Sequence, residues 1–182
     1  MQNSKNVNVP DSVCICNYYK PLLKFALLIA NTPKSPTEFV SVFIDNSNIL
    51  IEGKYTVGDI EEAGVYDRQR KSHHISQLRL DHGRLLKTVL KGQKMGSNPI
   101  IVSSYPPKDD EIWAQAKKDG FTVIVYDRNC VNKEKKVDTS LVIAGMRVIY
   151  KKDPGIFVLI ANDSVYEPIV NEAIQSKWKS EI

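Results

Sequence analysis

The clearest hydrophobic pattern in the chain is a short apolar run from Phe39 to Ile44 that ends at a polar cluster beginning with Asp45. Val40 and Val42 alternate with the residues between them, which predicts a buried strand followed by a polar turn. In open α/β sheets, ligands bind beyond the carboxyl ends of the strands. Asp45 is therefore a candidate for chemistry, although a simple Asx turn also explains an Asp-Asn pair at this position.

Further apolar runs of strand length follow, and segments with helical spacing separate them. The predicted strands are 99–103, 121–126, 155–161 and a last one from residue 178, and the predicted helices are 81–91, 109–118, a three-turn segment from 138 and a segment after 163. Strands that alternate with helices over short connections predict parallel βαβ units with right-handed crossovers. The pattern indicates an α/β fold whose fifth strand is cut short by the chain end, as in a fragment of a larger domain.

Two stretches do not follow this alternation. Residues 1–38 combine a polar start, one short apolar segment and a Pro/Ser/Thr linker, so we predict an N-terminal tail and linker over 1–38 and one domain over 39–182. The polar stretch 52–76 contains three glycines and a basic run, and we predict a long loop with some helix. Its cations could meet phosphates beside Asp45, or the stretch could be a solvated flexible segment.

Composition narrows the class of protein. The length of 182 residues fits one ordinary domain with a tail. A net charge of +4 permits an anionic partner without establishing one. The three cysteines show no zinc-binding spacing and no disulfide framework, which favours a reducing, intracellular location in the cytoplasm or nucleus. The most apolar run, 21–30, falls well short of the ~20 residues that cross a bilayer, so we expect no membrane span and no secretory signal.

Three acids are predicted to meet at the edge of the sheet where the strands have their carboxyl ends, here called the carboxyl rim. Asp45 ends the first strand, Asp163 follows the fourth, and Asp138 begins the helix that leads into the fourth. Two carboxylates ~4 Å apart repel by ~4 kcal/mol at an effective dielectric constant of ~20, so the cluster needs a cation or raised pKa values. Mg²⁺ or Mn²⁺ held there would activate water for phosphodiester hydrolysis. The alternative is that Asp138 and Asp163 only cap helices.

Four segments, in this order and spacing, resemble the NYN domains of the PIN-like nuclease superfamily, including the LabA-like members. They are F-I-D-N-S-N-I, S-S-Y-P-P-K-D-D-E-I-W followed by G-F-T-V-I-V-Y-D-R-N, K-E-K-K-V-D-T-S-L, and I-A-N-D-S-V-Y-E-P-I-V. The resemblance runs from about Phe39 to the chain end. It implies a three-layer PIN-like (Rossmann-like) fold, with a central parallel sheet in the order 3-2-1-4-5, and metal-dependent cleavage of RNA.

The resemblance also implies roles for particular residues. Asp45, Asp138 and Asp163 would hold Mg²⁺ or Mn²⁺, and Asn48 would orient an acid, a water or a phosphate through its amide. Tyr166, close to the last acid, either stacks on a base or packs on the sheet.

Contacts with RNA are expected from the loop after the third strand, because this loop opens on the same rim as the acids. The alternative is a charged loop that only faces solvent. The candidate residues are Arg128, Lys133, Lys135 and Lys136. Lys151 and Lys152 precede the fourth strand, so we place them at the opposite edge. The neighbouring His73 and His74 lack a third ligand at a recognisable spacing and are left out of the site.

Two positions depart from the family pattern: Val165 and Ala144 stand where many NYN domains carry acids. The leading hypothesis is a metal-dependent endoribonuclease whose activity these departures could weaken. The alternative is a catalytically inactive RNA-binding or interaction module on the same fold, and a homodimer or a protein partner is left open. A flavodoxin-like nucleotide binder also fits the sheet but lacks a glycine-rich phosphate loop after the first strand.

Overall fold

Parallel strands alternate with helices along the chain in the computed structural model, which describes residues 38–105, 110–128 and 136–181. In chain order the elements are β1 (Val40–Asp45), α1 (Asn46–Glu61), β2 (Val65–Asp67), β3 (Ser72–His74), α2 (His82–Leu90), β4 (Ile100–Ser104), α3 (Asp110–Lys118), β5 (Thr122–Tyr126), α4 (Val137–Lys151), β6 (Ile156–Ile160), a 3₁₀ turn (Ser164–Tyr166), α5 (Glu167–Gln175) and β7 (Lys179–Glu181).

The central sheet has the order β5-β4-β1-β6-β7, and every neighbouring pair of its strands is parallel. Counting only the strands of this sheet, the order is 3-2-1-4-5. The predicted α/β fold of the PIN-like type is therefore confirmed, including the presence of a fifth strand. β1 is the middle strand, and its Ile44 is paired with Ile101 of β4 on one side and with Ile160 of β6 on the other.

Two apolar clusters cover the two faces of the sheet and give the fold its three layers. The alternation along β1 places Val42 and Ile44 in the cluster with α1, α2 and α3, whereas Phe43 belongs to the cluster with α4 and α5. All six residues of β1 are buried. β1 is thus buried on both faces, and it ends at Asp45 on the carboxyl edge of the sheet.

The prediction for the stretch 52–76 was right about some helix and wrong about a long loop. Helix α1 continues to Glu61, and β2 and β3 then form an antiparallel hairpin. A Cβ atom at Gly58 would lie 2.2 Å from the backbone oxygen of His73, so this glycine lets the hairpin lie directly against α1. The glycines lowered the helical signal in the sequence, but at Gly58 the small residue serves close packing between two elements.

Some predictions concern residues that the structure does not describe. The tail and linker fall almost entirely on residues 1–37, so the division into tail and domain stays a prediction. Lys133 and Lys135 also lie outside the described residues. Within the described ranges, no helix is long and apolar enough to cross a lipid bilayer.

A buried polar contact joins the first turn of α2 to the first turn of α1. His82 is buried, and its Nε2 lies 2.8 Å from Oδ1 of Asn46. Asn46 in turn donates through Nδ2 to the hydroxyl of Ser103 in β4, over 3.2 Å. Burial lowers the pKa of His82 to about 4, so the imidazole is neutral at physiological pH and the fold depends on its staying neutral.

This burial predicts a pH-dependent stability. The unfolded chain binds a proton at His82 below an ordinary pKa of 6.5, whereas the folded chain does so only near 4. The contribution of neutral His82 to the free energy of unfolding is complete above pH 6.5. It is lost as the pH falls towards 4, by about 3 kcal/mol in total. Urea unfolding between pH 7 and 4 should show a shallower loss for His82→Asn than for the wild type. Parallel profiles for the wild type and His82→Asn would contradict the assignment.

Candidate active site

A cavity of about 250 Å³ opens at the carboxyl rim and is here called the rim cavity. It lies where β1 and β6 end and where α4 begins, so the parallel topology brings its walls together. The residues that line it are Asp45, Asn48, Ile51, Glu52, Arg70, Lys136, Val137, Asp138 and Asp163. The three acids named from the sequence, together with Asn48 and Lys136, therefore border one cavity.

Asp45 ends β1 and also begins α1. Its Oδ1 accepts a hydrogen bond from the backbone N–H of Asn48 over 3.0 Å, which makes Asp45 the N-cap of α1. Its Oδ2 accepts a hydrogen bond from the hydroxyl of Tyr166 over 2.9 Å. Only 4% of the residue is exposed. A carboxylate this deeply buried needs such donors, because burial without them would disfavour its charged form.

Tyr166 connects two of the acids. Its hydroxyl lies 2.9 Å from Oδ2 of Asp45 and 3.2 Å from Oδ1 of Asp138. Burial, followed by the negative charge of Asp45, raises the pKa of Tyr166, so the hydroxyl carries its proton at neutral pH. A hydroxyl has a single hydrogen to donate, so it can serve only one of the two carboxylates fully at a time.

Of the two interpretations of Tyr166, packing on the sheet agrees with its burial, because its ring belongs to the cluster beneath α4 and α5. The hydrogen bonds to Asp45 and Asp138 were not predicted. A buried tyrosine and a buried phenylalanine give the same apolar pattern, so the sequence contains no signal for where the hydroxyl points.

The other two acids differ in their local roles. Asp138 lies in the first turn of α4 but does not cap it, because the N-cap position is Lys136, whose side chain makes no capping hydrogen bond. Asp163 does cap the 3₁₀ turn, since its Oδ1 accepts from the backbone N–H of Val165 over 3.1 Å. The N-cap interpretation is therefore wrong for Asp138 and correct for Asp163. The capping contact of Asp163 uses its Oδ1 and not its Oδ2.

Asn48 ties the two halves of the rim together. Its Oδ1 accepts a hydrogen bond from the backbone N–H of Asn162 over 2.7 Å, which holds the segment after β6 beside the first turn of α1. Asn48 reaches Asp45 through its backbone rather than through its amide. Its side chain thereby fixes where Asp163 lies relative to Asp45.

Two cations flank the rim cavity. Lys136 precedes α4, and its ammonium lies 5.8 Å from the ring centroid of Tyr126. Arg70, in the hairpin turn, was not included in the predicted site. The sequence signal for Arg70 is the basic run in the stretch that follows the first strand on the side of the acids. The sequence analysis assigns this run to a loop and not to the site.

Arg128, the remaining described candidate for RNA contact, lies elsewhere on the rim. It donates through Nε to the hydroxyl of Ser104 at the end of β4, over 3.2 Å, and it is not part of the wall of the rim cavity.

The two departures from the family pattern lie in different surroundings. Val165 is 46% exposed on the 3₁₀ turn beside Asp163. Ala144 is 9% exposed within α4 and belongs to the apolar cluster that contains Phe43 and Phe157. An acid at position 165 would meet water, whereas an acid at position 144 would meet the hydrophobic core.

The donor set of the rim cavity suits a hard divalent cation. Among the residues that the structure describes, no group of three or more His, Cys, Asp or Glu side chains forms a ready-made metal cage. The available donors are nevertheless carboxylate oxygens, the ligand type that Mg²⁺ and Mn²⁺ prefer, and waters can fill the remaining positions. By donor type, Asp45, Asp138 and Asp163 suit a hydrated ion, although their side chains as they stand do not form a group that holds one.

A larger cavity of about 520 Å³ lies between α2 and α3 and contains none of the rim acids. Its wall mixes apolar residues with opposite charges, among them Asp81, Arg84 and Asp119. The chemistry expected from the sequence is therefore concentrated in the smaller rim cavity.

The fold and the acidic rim define a PIN-like α/β domain of the nuclease type. A family model described as the NYN domain matches residues 39–181, and the chain belongs to the NYN domain family. Comparisons with curated proteins and with solved structures gave no match. Membership of this family supports an assignment to ribonuclease-type proteins.

The shared hydroxyl can be tested with Tyr166→Phe, which keeps the buried ring and removes only the oxygen. Hydrogen bonds to charged groups contribute about 1.5–3 kcal/mol, and we expect the free energy of unfolding at pH 7 without divalent ions to fall by that amount. Tyr150→Phe is the matched control, because Tyr150 is an exposed tyrosine on α4 that donates to Glu172. Its effect should stay within about 0.5 kcal/mol. Equal effects of the two variants in urea unfolding would argue against a structural role for the hydroxyl.

Proposed function

We propose that this protein is a metal-dependent endoribonuclease that hydrolyses RNA phosphodiester bonds at the rim cavity, inside the cell in the cytoplasm or nucleus. The observation that carries the proposal is the convergence of Asp45, Asp138 and Asp163 on one cavity in an NYN-family chain. Three acids on separate elements are difficult to explain by stability alone, because like charges at close range repel one another.

In this proposal, the acids hold Mg²⁺ or Mn²⁺, which when bound lowers the pKa of a coordinated water and neutralises charge that develops on the phosphate. Asp45 provides the fixed carboxylate, since the Asn48 N–H and the Tyr166 hydroxyl hold its two oxygens. Asp138 and Asp163 complete the donor set from the other side of the cavity. Lys136 binds phosphate beside the acids, and Arg128 extends the RNA contact along the rim. Lys133 and Lys135, outside the described residues, are further RNA contacts proposed from the sequence.

A second candidate function is a catalytically inactive RNA-binding or interaction module. The observation in its favour is the replacement of two family acids by Val165 and Ala144. The second replacement is embedded in the core, since Ala144 packs in the same apolar cluster as Phe157. The cations and the fold would serve RNA binding in either case, so only cleavage separates the two functions.

Cleavage should depend on Asp45. With labelled RNA and Mn²⁺ or Mg²⁺, we expect Asp45→Asn to lower the cleavage rate by about 100-fold, the scale of losing one charge-stabilising group in an active site. The substitution leaves an amide oxygen that can still accept from the Asn48 N–H. The control is Asp153→Asn, an exposed acid between α4 and β6 at the opposite edge of the sheet, which should cleave like the wild type. Equal rates for wild type and Asp45→Asn, or no metal-dependent cleavage by the wild type, would exclude the enzyme and leave the binding module.

Restoring acids at the two departures should have opposite consequences. Asp at the half-exposed position 165 meets water, so Val165→Asp should change stability by no more than about 0.5 kcal/mol and should increase metal-dependent cleavage. Ala144→Asp places a charge in the apolar cluster and should lower the free energy of unfolding by roughly 2 kcal/mol or more. Cleavage assays at several Mn²⁺ concentrations and urea unfolding measure both effects. An unchanged rate for Val165→Asp would show that this position does not limit activity.

A further inference from the structure

The hairpin formed by β2 and β3 carries its charge next to the rim cavity. Its four-residue turn connects Asp67 to Ser72 and contains the exposed cations Arg68, Arg70 and Lys71. Arg70 belongs to the wall of the rim cavity together with Asp45 and Asp138. A positively charged surface on the hairpin is therefore continuous with the acidic site, and the complementary ligand is a polyanion that reaches into the cavity.

Hydrogen bonds fix the shape of this turn. Asp67 accepts from the backbone N–H groups of Gln69 and Arg70, over 2.8 Å and 3.2 Å, and its other oxygen accepts from the hydroxyl of Tyr55 over 2.9 Å. Tyr55 lies on α1, so this contact anchors the turn to the helix that begins at Asp45. The cations of the turn are thus presented from a fixed backbone.

Arg70 is also held at its side chain. Its guanidinium lies 4.4 Å from the ring centroid of Tyr55, and its Nη1 lies 3.0 Å from Oε1 of Glu52. A guanidinium has five N–H donors, and the contact with Glu52 is made by one of its three nitrogens. A pre-positioned arginine with donors remaining is suited to a phosphate at the mouth of the cavity.

An exposed aromatic residue lies on the strand that leads into this turn. Tyr66, on β2 immediately before Asp67, is 52% exposed, and it faces His73 of β3 with the two ring centroids 5.1 Å apart in an edge-to-face arrangement. An edge-to-face contact with His73 leaves ring surface of Tyr66 in water. Exposed aromatic rings beside cations are the arrangement with which proteins stack unpaired bases while binding the backbone.

We propose that the β2–β3 hairpin is a subsite for single-stranded RNA, in which Tyr66 stacks on an unpaired base and the turn around Arg70 binds the backbone leading into the rim cavity. This inference rests on the proposed function, because it concerns the substrate of the same site. Single-stranded RNA is the ligand because the bases of an A-form duplex are stacked on one another and not available to an aromatic side chain.

The test measures binding separately from cleavage. The full chain is titrated into a fluorescently labelled, unstructured RNA in EDTA, so that no metal-dependent hydrolysis occurs, and binding is followed by anisotropy at several salt concentrations. Loss of one stacked base corresponds to a 5- to 150-fold weaker Kd, roughly. We expect that loss for Tyr66→Ala and near wild-type binding for Tyr66→Phe, which keeps the ring. Tyr150→Ala, at a 65% exposed tyrosine on α4, should bind like the wild type.

The cation is tested in the same assay. Arg70→Gln should weaken binding and lower the slope of log K against log salt by about 1, as for one lost phosphate contact. Lys152→Gln removes the same charge at the opposite edge of the sheet and should leave the slope unchanged. Urea unfolding confirms that each variant is folded.

The outcomes distinguish the subsite from the proposed function. Unchanged binding by Tyr66→Ala, no binding of single-stranded RNA by the wild type, or an equal loss for duplex RNA overturns the subsite, and Asp45-dependent cleavage would then still support the enzyme. Binding that needs Tyr66 and Arg70, together with no cleavage when Mn²⁺ is added, supports the subsite and rejects the enzyme.

Discussion

The rest of the rim depends on the compensation of a buried carboxylate at the end of the central strand. Asp45 is carried to the rim by β1, which is buried on both faces, and its oxygens accept hydrogen bonds from the Asn48 N–H and from the Tyr166 hydroxyl. The first donor comes from the helix that Asp45 itself begins, and the second from the 3₁₀ turn that follows β6. One acid therefore joins the first and last thirds of the domain, and its burial gives both contacts their strength.

The same contacts connect stability with function. The Tyr166 hydroxyl lies within hydrogen-bond distance of both Asp45 and Asp138, and its one hydrogen cannot serve both carboxylates fully. Under the proposed function, carboxylates that would hold a divalent ion repel one another when no ion is bound. An acid at position 144 would lie in the apolar cluster, so alanine suits the core there, whereas position 165 is exposed to water. The structure gives no stability reason for valine at position 165.

The fold could be predicted from the sequence because its strands are buried and its helices are amphipathic. The apolar runs of the strands and the helical spacing of apolar residues are therefore both visible in the sequence. The meeting of Asp45, Asp138 and Asp163 followed from topology, since parallel strands place their carboxyl ends at one edge. The stretch around Gly58 was mispredicted because a glycine required for contact with His73 looks like a glycine required for a turn. The position of the Tyr166 hydroxyl depends on tertiary packing alone, so no local sequence pattern indicates it.

The charges of the rim cavity also determine how RNA and a divalent ion would affect each other. Asp45, Asp138 and Asp163 would repel a phosphate, while Arg70 and Lys136, which line the same cavity, would attract it. Under the proposed function, a cation held by the acids would remove the repulsion, leave the attraction and so raise the affinity for RNA. By linkage, RNA raises the affinity for the cation by the same factor. A site of three acids that binds the ion weakly by itself would therefore bind it more tightly in the complex with RNA, which makes the absence of a fourth carboxylate at Val165 less damaging there than in the free protein.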